Sequence, residues 1–180
     1  MLKSSSTFKR ALDSSRLTLT PLTMIDAVDL LSLWSEAETM HYLHVKPLDD
    51  LSTVQDMVKM LEDDRFAIRY AIRLKANGSL IGTVGINDWT PKGIEIGYEL
   101  HAMYRRQGFM REVFLCLLPF IWSLTDDSIY AKVDSSNMPS KELLRSFNFE
   151  QQFQSWEFNV ELDKNIHISY FILQKKNFLT

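Results

Sequence analysis

The stretch from Ile94 to Leu124, IEIGYELHAMYRRQGFMREVFLCLLPFIWSL, restricts the fold more than any other part of this chain. Ile94, Ile96, Tyr98 and Leu100 alternate with Glu95, Gly97 and Glu99, which is the period of a half-buried strand. Beyond Leu100 the period becomes that of an apolar helix, and Arg105-Arg106-Gln107-Gly108 lies at the changeover. The first N–H groups of a helix lack intrahelical partners and carry partial positive charge, so a helix entered through such a loop can hold an anion. Arg105 and Arg106 add full charges, and Gly108 lets the backbone approach closely. A solvated turn satisfies the same residues, so the neighbouring elements have to decide.

Composition narrows the setting. With 180 residues, 46% hydrophobic and 12% aromatic, one domain with a sizeable core is expected, spanning 16–180 behind a loose Ser- and Lys-containing arm over 1–15. A net charge of -3 and a pI near 5.8 give no global attraction to nucleic acid or an anionic membrane, so anion recognition must be local. Cys116 is the single cysteine and lies in an apolar helical run, which suits packing and a reducing, cytoplasmic setting. No signal-peptide core or membrane-length apolar run is present.

Taken in order, Arg16 to Thr20 reads as a first strand, and Thr23 or Asp26 caps a helix reaching Trp34. A second helix fits Ser52 to Asp63, with Val54, Met57, Val58 and Leu61 on one face. His41 and His44, between the helices, lack companions at ligand spacing, so a loop role and no metal are expected. Phe66 to Leu74 and Leu80 to Trp89 form a hairpin around Asn77-Gly78, and Pro91-Lys92-Gly93 turns into the strand from Ile94. Pro119 is expected to kink the long helix. A strand at Ile129 to Asp134, a short helix at Pro139 to Phe147 and a hairpin of Gln152 to Glu161 with Ile166 to Lys175 complete the chain.

That order of elements resembles the GNAT superfamily of acyl-CoA-dependent N-acetyltransferases. The family motif, Arg/Gln-x-x-Gly-x-Gly/Ala, is matched by Arg105, Arg106, Gln107, Gly108, Phe109 and Met110, with Met110 in place of the small residue. Asn137-Met138-Pro139-Ser140 and Leu143-Leu144-Arg145-Ser146-Phe147-Asn148-Phe149 resemble the signature of the RimJ/RimL-type branch, as does the closing ISYFILQKKNF. Asn148 replaces the usual Gly and is the non-Gly residue best suited to a left-handed cap. The resemblance implies an α+β fold, with a mixed, mostly antiparallel sheet of about seven strands, about four helices, and strands four and five splayed around acyl-CoA.

It further implies acetyl transfer from acetyl-CoA, as co-substrate, to a primary amine in a ternary complex. The amine belongs to a protein N-terminus or a small molecule, and a homodimer stays open. Such transfer needs a neutral amine, a donor for the developing oxyanion and a proton for the departing thiolate. By resemblance, Arg105 to Met110 cradle the pyrophosphate, Asn137 meets the pantetheine arm, and the N–H near Leu100 is the oxyanion donor. Ser140 resembles the serine that this branch offers to the cofactor sulfur as proton donor, or it caps the short helix, and the family's usual Tyr is replaced here by Leu144. Glu95, Glu99 and Glu157 are the candidate bases. Trp34, Tyr42, Asp88 and Trp89, with His41, fall where the family places the acceptor. Gly97, within its strand, marks a bulge or a close backbone approach. The rival reading is a non-catalytic acyl-CoA-binding module of the same fold, which would bind without releasing thiol.

Overall fold

The computed structural model describes residues 10–64, 67–90 and 93–178. Phe66, Pro91 and Lys92 lie outside the described residues, as do residues 1–9 of the expected arm. Within that arm, Leu12–Asp13 form a short strand, β1, which pairs antiparallel with β2, Leu17–Pro21. The backbone then runs through α1 (Ala27–Trp34), α2 (Ala37–Met40) and α3 (Leu51–Asp63) into a meander of β3 (Ile68–Leu74), β4 (Leu80–Thr90) and β5 (Gly93–Leu100). The second half comprises α4 (Phe109–Leu124), β6 (Ile129–Asp134), α5 (Met138–Ser146), β7 (Glu150–Asn159), β8 (Lys164–Leu173) and α6 (Lys175–Phe178).

The local signals explain most of these boundaries. Asp26 Oδ2 accepts from the Thr23 main chain at 2.8 Å and from its hydroxyl at 3.1 Å, which starts the turn leading into α1. Asp50 accepts from Thr53 N at 2.8 Å and caps α3. Asn148 adopts φ 63° where α5 ends. Helix α4 continues through Pro119, which lies on its exposed face where the carbonyl freed by the missing N–H can be solvated.

The described sheet has eight strands in the order β1-β2-β3-β4-β5-β6-β8-β7, antiparallel throughout except where β5 meets β6. Its two faces are covered separately, as the alternation along β3 shows. Tyr70 and Ile72 join the core under α4 and α5, while Ala71 joins the smaller core of α1, α2 and α3. Helix α4 buries Val113, Phe114, Leu117, Leu118 and Ile121 against the sheet, and Leu144 of α5 packs beside them. Cys116 is half-buried and donates to the Val113 carbonyl at 3.2 Å, and burial raises its thiol pKa. No helix among the described residues is long and apolar enough to cross a membrane.

Candidate active site

Strands β5 and β6 are parallel neighbours only at Ile94 with Ile129 and Glu95 with Tyr130. Beyond that pair they part, and β6 continues only against β8. On its other side β5 stays in register with β4 as far as Leu100 opposite Gly82, and His101 N donates to Ile81 O at 2.9 Å. Antiparallel ladders alternate their bonded residues, so the main-chain groups of Tyr98 and Leu100 point away from β4 into the opening. The Leu100 carbonyl is taken by Arg105 Nε at 3.1 Å, which leaves the Leu100 N–H on the cleft side. An acyl-pantetheine arm fits such an opening because an extended amide chain needs edge N–H and C=O groups. Gly97 lies against the Asn87 side chain, where a Cβ would stand 2.5 Å from Asn87 Nδ2, and Asn87 occupies an irregularity of β4 between Ile86 and Asp88.

At the end of β5 the chain passes a short turn, Ala102–Tyr104, into the basic loop. Arg106 and Gly108 both take left-handed conformations, φ 64° and 78°, on either side of Gln107. Glu112 N makes the first helical bond, to Gly108 O at 3.1 Å, so the N–H groups of Phe109, Met110 and Arg111 have no partner within the helix. Left-handed turns of this kind gather successive N–H groups into an anion-binding concavity. Met110 is buried in the core with 8% exposure, so its size is absorbed behind the loop. Phe109 is buried similarly.

The three arginines around this loop do different work. Arg105 Nη2 donates to the Glu38 carbonyl at 3.1 Å and Nη1 lies 3.6 Å from its carboxylate, so this guanidinium ties β5 to α2. Arg106 and Gln107 are exposed at the loop's surface. Arg16, which sequence reasoning passed over, donates to the Gln107 carbonyl at 3.2 Å and covers the Phe109 ring at 4.3 Å. It also meets Glu112 at 2.7 Å, and the same carboxylate accepts from Arg16 N at 2.7 Å and Ser14 Oγ at 2.7 Å. Burial alone would raise the Glu112 pKa, but these donors prevail and hold it down at about 2.

Asn137 caps α5, its Oδ1 accepting from Ser140 N at 3.1 Å. This holds Ser140 at the cleft, where its Oγ lies 2.6 Å from the Tyr98 hydroxyl. Burial raises the Tyr98 pKa, so its phenol stays protonated and able to donate. Leu144 lies fully buried in the core, so the phenol at the cleft comes from β5. The signal was available in the sequence: Tyr98 is the one polar-tipped residue on the apolar side of its strand.

A cavity of about 260 Å³ continues from this corner and is lined in part by Tyr42, His44, Glu95, Lys132, Asp134 and Glu157. Lys132 Nζ lies 3.3 Å from Glu95 Oε2. Burial acts to lower the Lys132 pKa, yet Glu95 and Glu157 outweigh it and the net shift is upward. The Tyr170 hydroxyl donates to Glu157, and burial together with that carboxylate pushes its pKa up to about 12.

Other expected residues do not line this cavity. Glu99 is buried at 6% exposure, accepts from Trp34 Nε1 at 3.1 Å, and is held by Arg69 and Thr83. Its carboxylate faces the α1 side of the sheet and is fully engaged there. Trp34 is buried with it. Trp89 donates from Nε1 to Asp127 at 3.0 Å, and Asp88 is exposed.

With the geometry in place, likeness to known proteins has a definite meaning. The acetyltransferase (GNAT) domain family matches residues 16–150. An uncharacterized N-acetyltransferase, p20, of Bacillus licheniformis is 32% identical over 171 residues, covering 92% of this chain and 96% of its own. Among solved structures, a probable GNAT-family acetyltransferase from Chromobacterium violaceum superposes with a TM-score of 0.83 at 18% identity, covering 96% of this chain and 89% of that one. RimL, a ribosomal L7/L12 α-N-protein acetyltransferase solved in complex with coenzyme A, gives 0.79 at 17% identity, covering 92% and 98%. This chain therefore belongs to the GNAT acetyltransferase family and is an acetyl-CoA-dependent N-acetyltransferase.

Proposed function

We propose that the acceptor is the α-amino group of a protein or peptide chain. The single observation carrying this is one cavity with a hydroxyl pair at one end, Tyr98 and Ser140, and the carboxylates Glu95, Asp134 and Glu157 along its wall. An ammonium group is attracted to such a wall. An α-amine, with a pKa near 8, then needs far less help to lose its proton than a lysine side chain near 10.4. The fold likeness to RimL, whose acceptor is a protein α-amine, favours the same class here.

Acetyl-CoA supplies an acetyl group on a thioester. The N–H groups of Gly108 to Arg111, with Arg106, would hold its pyrophosphate, and the N–H groups of Tyr98 and Leu100 would hold its extended arm and the developing oxyanion. Glu95, on the same wall, holds the ammonium. Glu157, oriented by Tyr170, accepts the proton that the nitrogen sheds as its bond to carbon forms. Ser140 protonates the departing thiolate and is resupplied from Tyr98. Positioning both reactants in one cleft supplies much of the acceleration, so each proton-transfer group adds a moderate factor.

The test is acetyl transfer from acetyl-CoA to a library of N-terminal peptides and small amines, read as thiol release and as mass gain at the α-nitrogen. Acetylated peptide α-amines support the assignment. Turnover confined to small amines moves the acceptor class, and binding without turnover on any amine returns the chain to a non-catalytic acyl-CoA module.

A further inference from the structure

The segment between α2 and α3 lines the cavity through Tyr42, Leu43 and His44 and is fastened to the end of β7 and the residues just after it. Asn159 Nδ2 of β7 donates to the His44 carbonyl at 2.9 Å, and Lys46 N donates to Glu161 at 2.7 Å. His44 sits in the left-handed region at φ 56°. Its imidazole lines the cavity and shows 12% exposure. Nε2 lies 2.7 Å from Asp134 Oδ2, a close contact without hydrogen-bond alignment, and Nδ1 is buried with no partner among the described residues. Asp134 is itself fixed, since its Oδ1 accepts from Ser136 N at 2.7 Å and from the Ser136 hydroxyl. Burial would raise the Asp134 pKa, but the Ser136 donors and His44 lower it, so the carboxylate stays charged beside the ring.

His44 lines a cavity that receives an amine, and its Nδ1 is a buried acceptor with no protein partner among the described residues, a site that a donor from the ligand would satisfy. We infer that His44 is a proton acceptor for the acceptor amine, with Asp134 as its positioning residue. The inference rests on the α-amine reading of the same cavity. The bound ammonium gives one proton to Nδ1, which frees the lone pair that attacks the thioester carbon. As the C–N bond forms and the C–S bond breaks, the second proton goes to Glu157 and the thiolate takes one through Ser140. His44 and Glu157 return two protons to solvent and the Ser140–Tyr98 pair takes one back from it, so one proton is released per turnover. The charged and titratable groups around the ring are Asp134 and Lys132 on β6, Glu95 on β5, Glu157 on β7 and Tyr42 on its own segment.

The left-handed backbone supplies the controls, because Asn and Gly adopt that conformation more readily than His, so His44→Asn and His44→Gly remove the ring without adding strain. At pH 7 about one in ten α-amines of pKa near 8 is already neutral, so both variants are expected to lose about tenfold in kcat/KM for a peptide. The loss should shrink as the pH approaches about 9, where the amine no longer needs a base. Added imidazole should restore His44→Gly, Asp134→Asn should lose activity in the same direction, and the acetyl-CoA Kd should stay unchanged throughout. Without acetyl-CoA, the wild-type His44 ring resonances should move on adding peptide while those of His41 do not. The inference is overturned if the variants match the wild type at pH 7, or if their loss persists at high pH without imidazole rescue. A wild-type chain inactive on every peptide removes the α-amine reading and this one together, whereas an active wild type with unaffected variants removes this one alone.

Discussion

The Tyr98 hydroxyl lies 2.6 Å from Ser140 Oγ, joining β5 to the first turn of α5 across 42 residues of sequence. Either oxygen can donate in that contact, and burial keeps the phenol protonated. A donor chain of two hydroxyls thus stands at the cleft where the family resemblance suggested one. Ser140→Ala and Tyr98→Phe are each expected to lower kcat by about 10²-fold, the lower range for a lost proton-transfer group. Their KM for acetyl-CoA should barely change, and the double variant should lose little more than either single one. Steady-state kinetics on the three variants checks this, and additive losses would mean that the two hydroxyls act separately.

At the basic loop, the side chains and the main chain can be told apart. Arg106 is exposed and available to an anion, so Arg106→Ala should weaken acetyl-CoA binding about 5–10-fold, with a shallower dependence on salt. Gly108→Asp should do more, because φ 78° is unfavourable for a side chain and the new carboxylate repels a phosphate. Arg105→Ala should instead lower Tm by releasing α2, as its guanidinium is already bonded to Leu100 and Glu38. Calorimetric titration alongside thermal melts separates the three effects.

The two glutamates Glu99 and Glu157 should answer substitution in opposite ways. Glu99 is a buried acceptor for Trp34, Arg69 and Thr83, so Glu99→Ala should destabilise the fold by about 3–5 kcal/mol, the cost of stranding a buried partner charge. Glu157→Gln should leave Tm within a few degrees and lower kcat, with Tyr170→Phe following it less severely. A Glu157→Gln variant with unimpaired turnover would remove the base role assigned to it.

Glu112 gives the clearest dependence of stability on pH. Its pKa in the folded chain, about 2, lies below the ordinary glutamate value of 4.5. A depressed carboxylate stabilises above the unfolded value and loses that contribution as the pH falls through the folded one. Glu112→Gln should therefore be less stable than the wild type by about 1.5–3 kcal/mol at neutral pH, the range for hydrogen bonds to a charged group. The gap should narrow from pH 5 towards pH 2 in urea melts. A gap independent of pH would mean that Ser14 and Arg16 are held by something other than the charge.

How far the amino-acid sequence could be read depended on the range of each signal. The alternation from Ile94 to Leu100, the apolar period after Gly108, the Asn77-Gly78 turn and the left-handed Asn148 are properties of neighbouring residues, and they placed the elements that carry them. Met110 turned into the core because its helical position faces the sheet, a direction that the motif by itself does not state. The divided roles of Arg105, Arg106 and Arg16 came from packing, since three guanidinium groups of the same chemistry differ here only in what stands next to them.

The carboxylates show the limit most plainly. Glu95 and Glu99 share one face of β5, and strand periodicity makes them equivalent. Only the tertiary structure brings Trp34, 65 residues away, against one and Lys132 against the other. The sequence by itself determined the order of the main elements and the family, because hydrophobic period and glycine conformation act locally. Which acids and hydroxyls face the open seam between β5 and β6 was decided by the assembled sheet. That seam exists because two strands pair for two residues and then diverge, a long-range geometry that no local signal encodes.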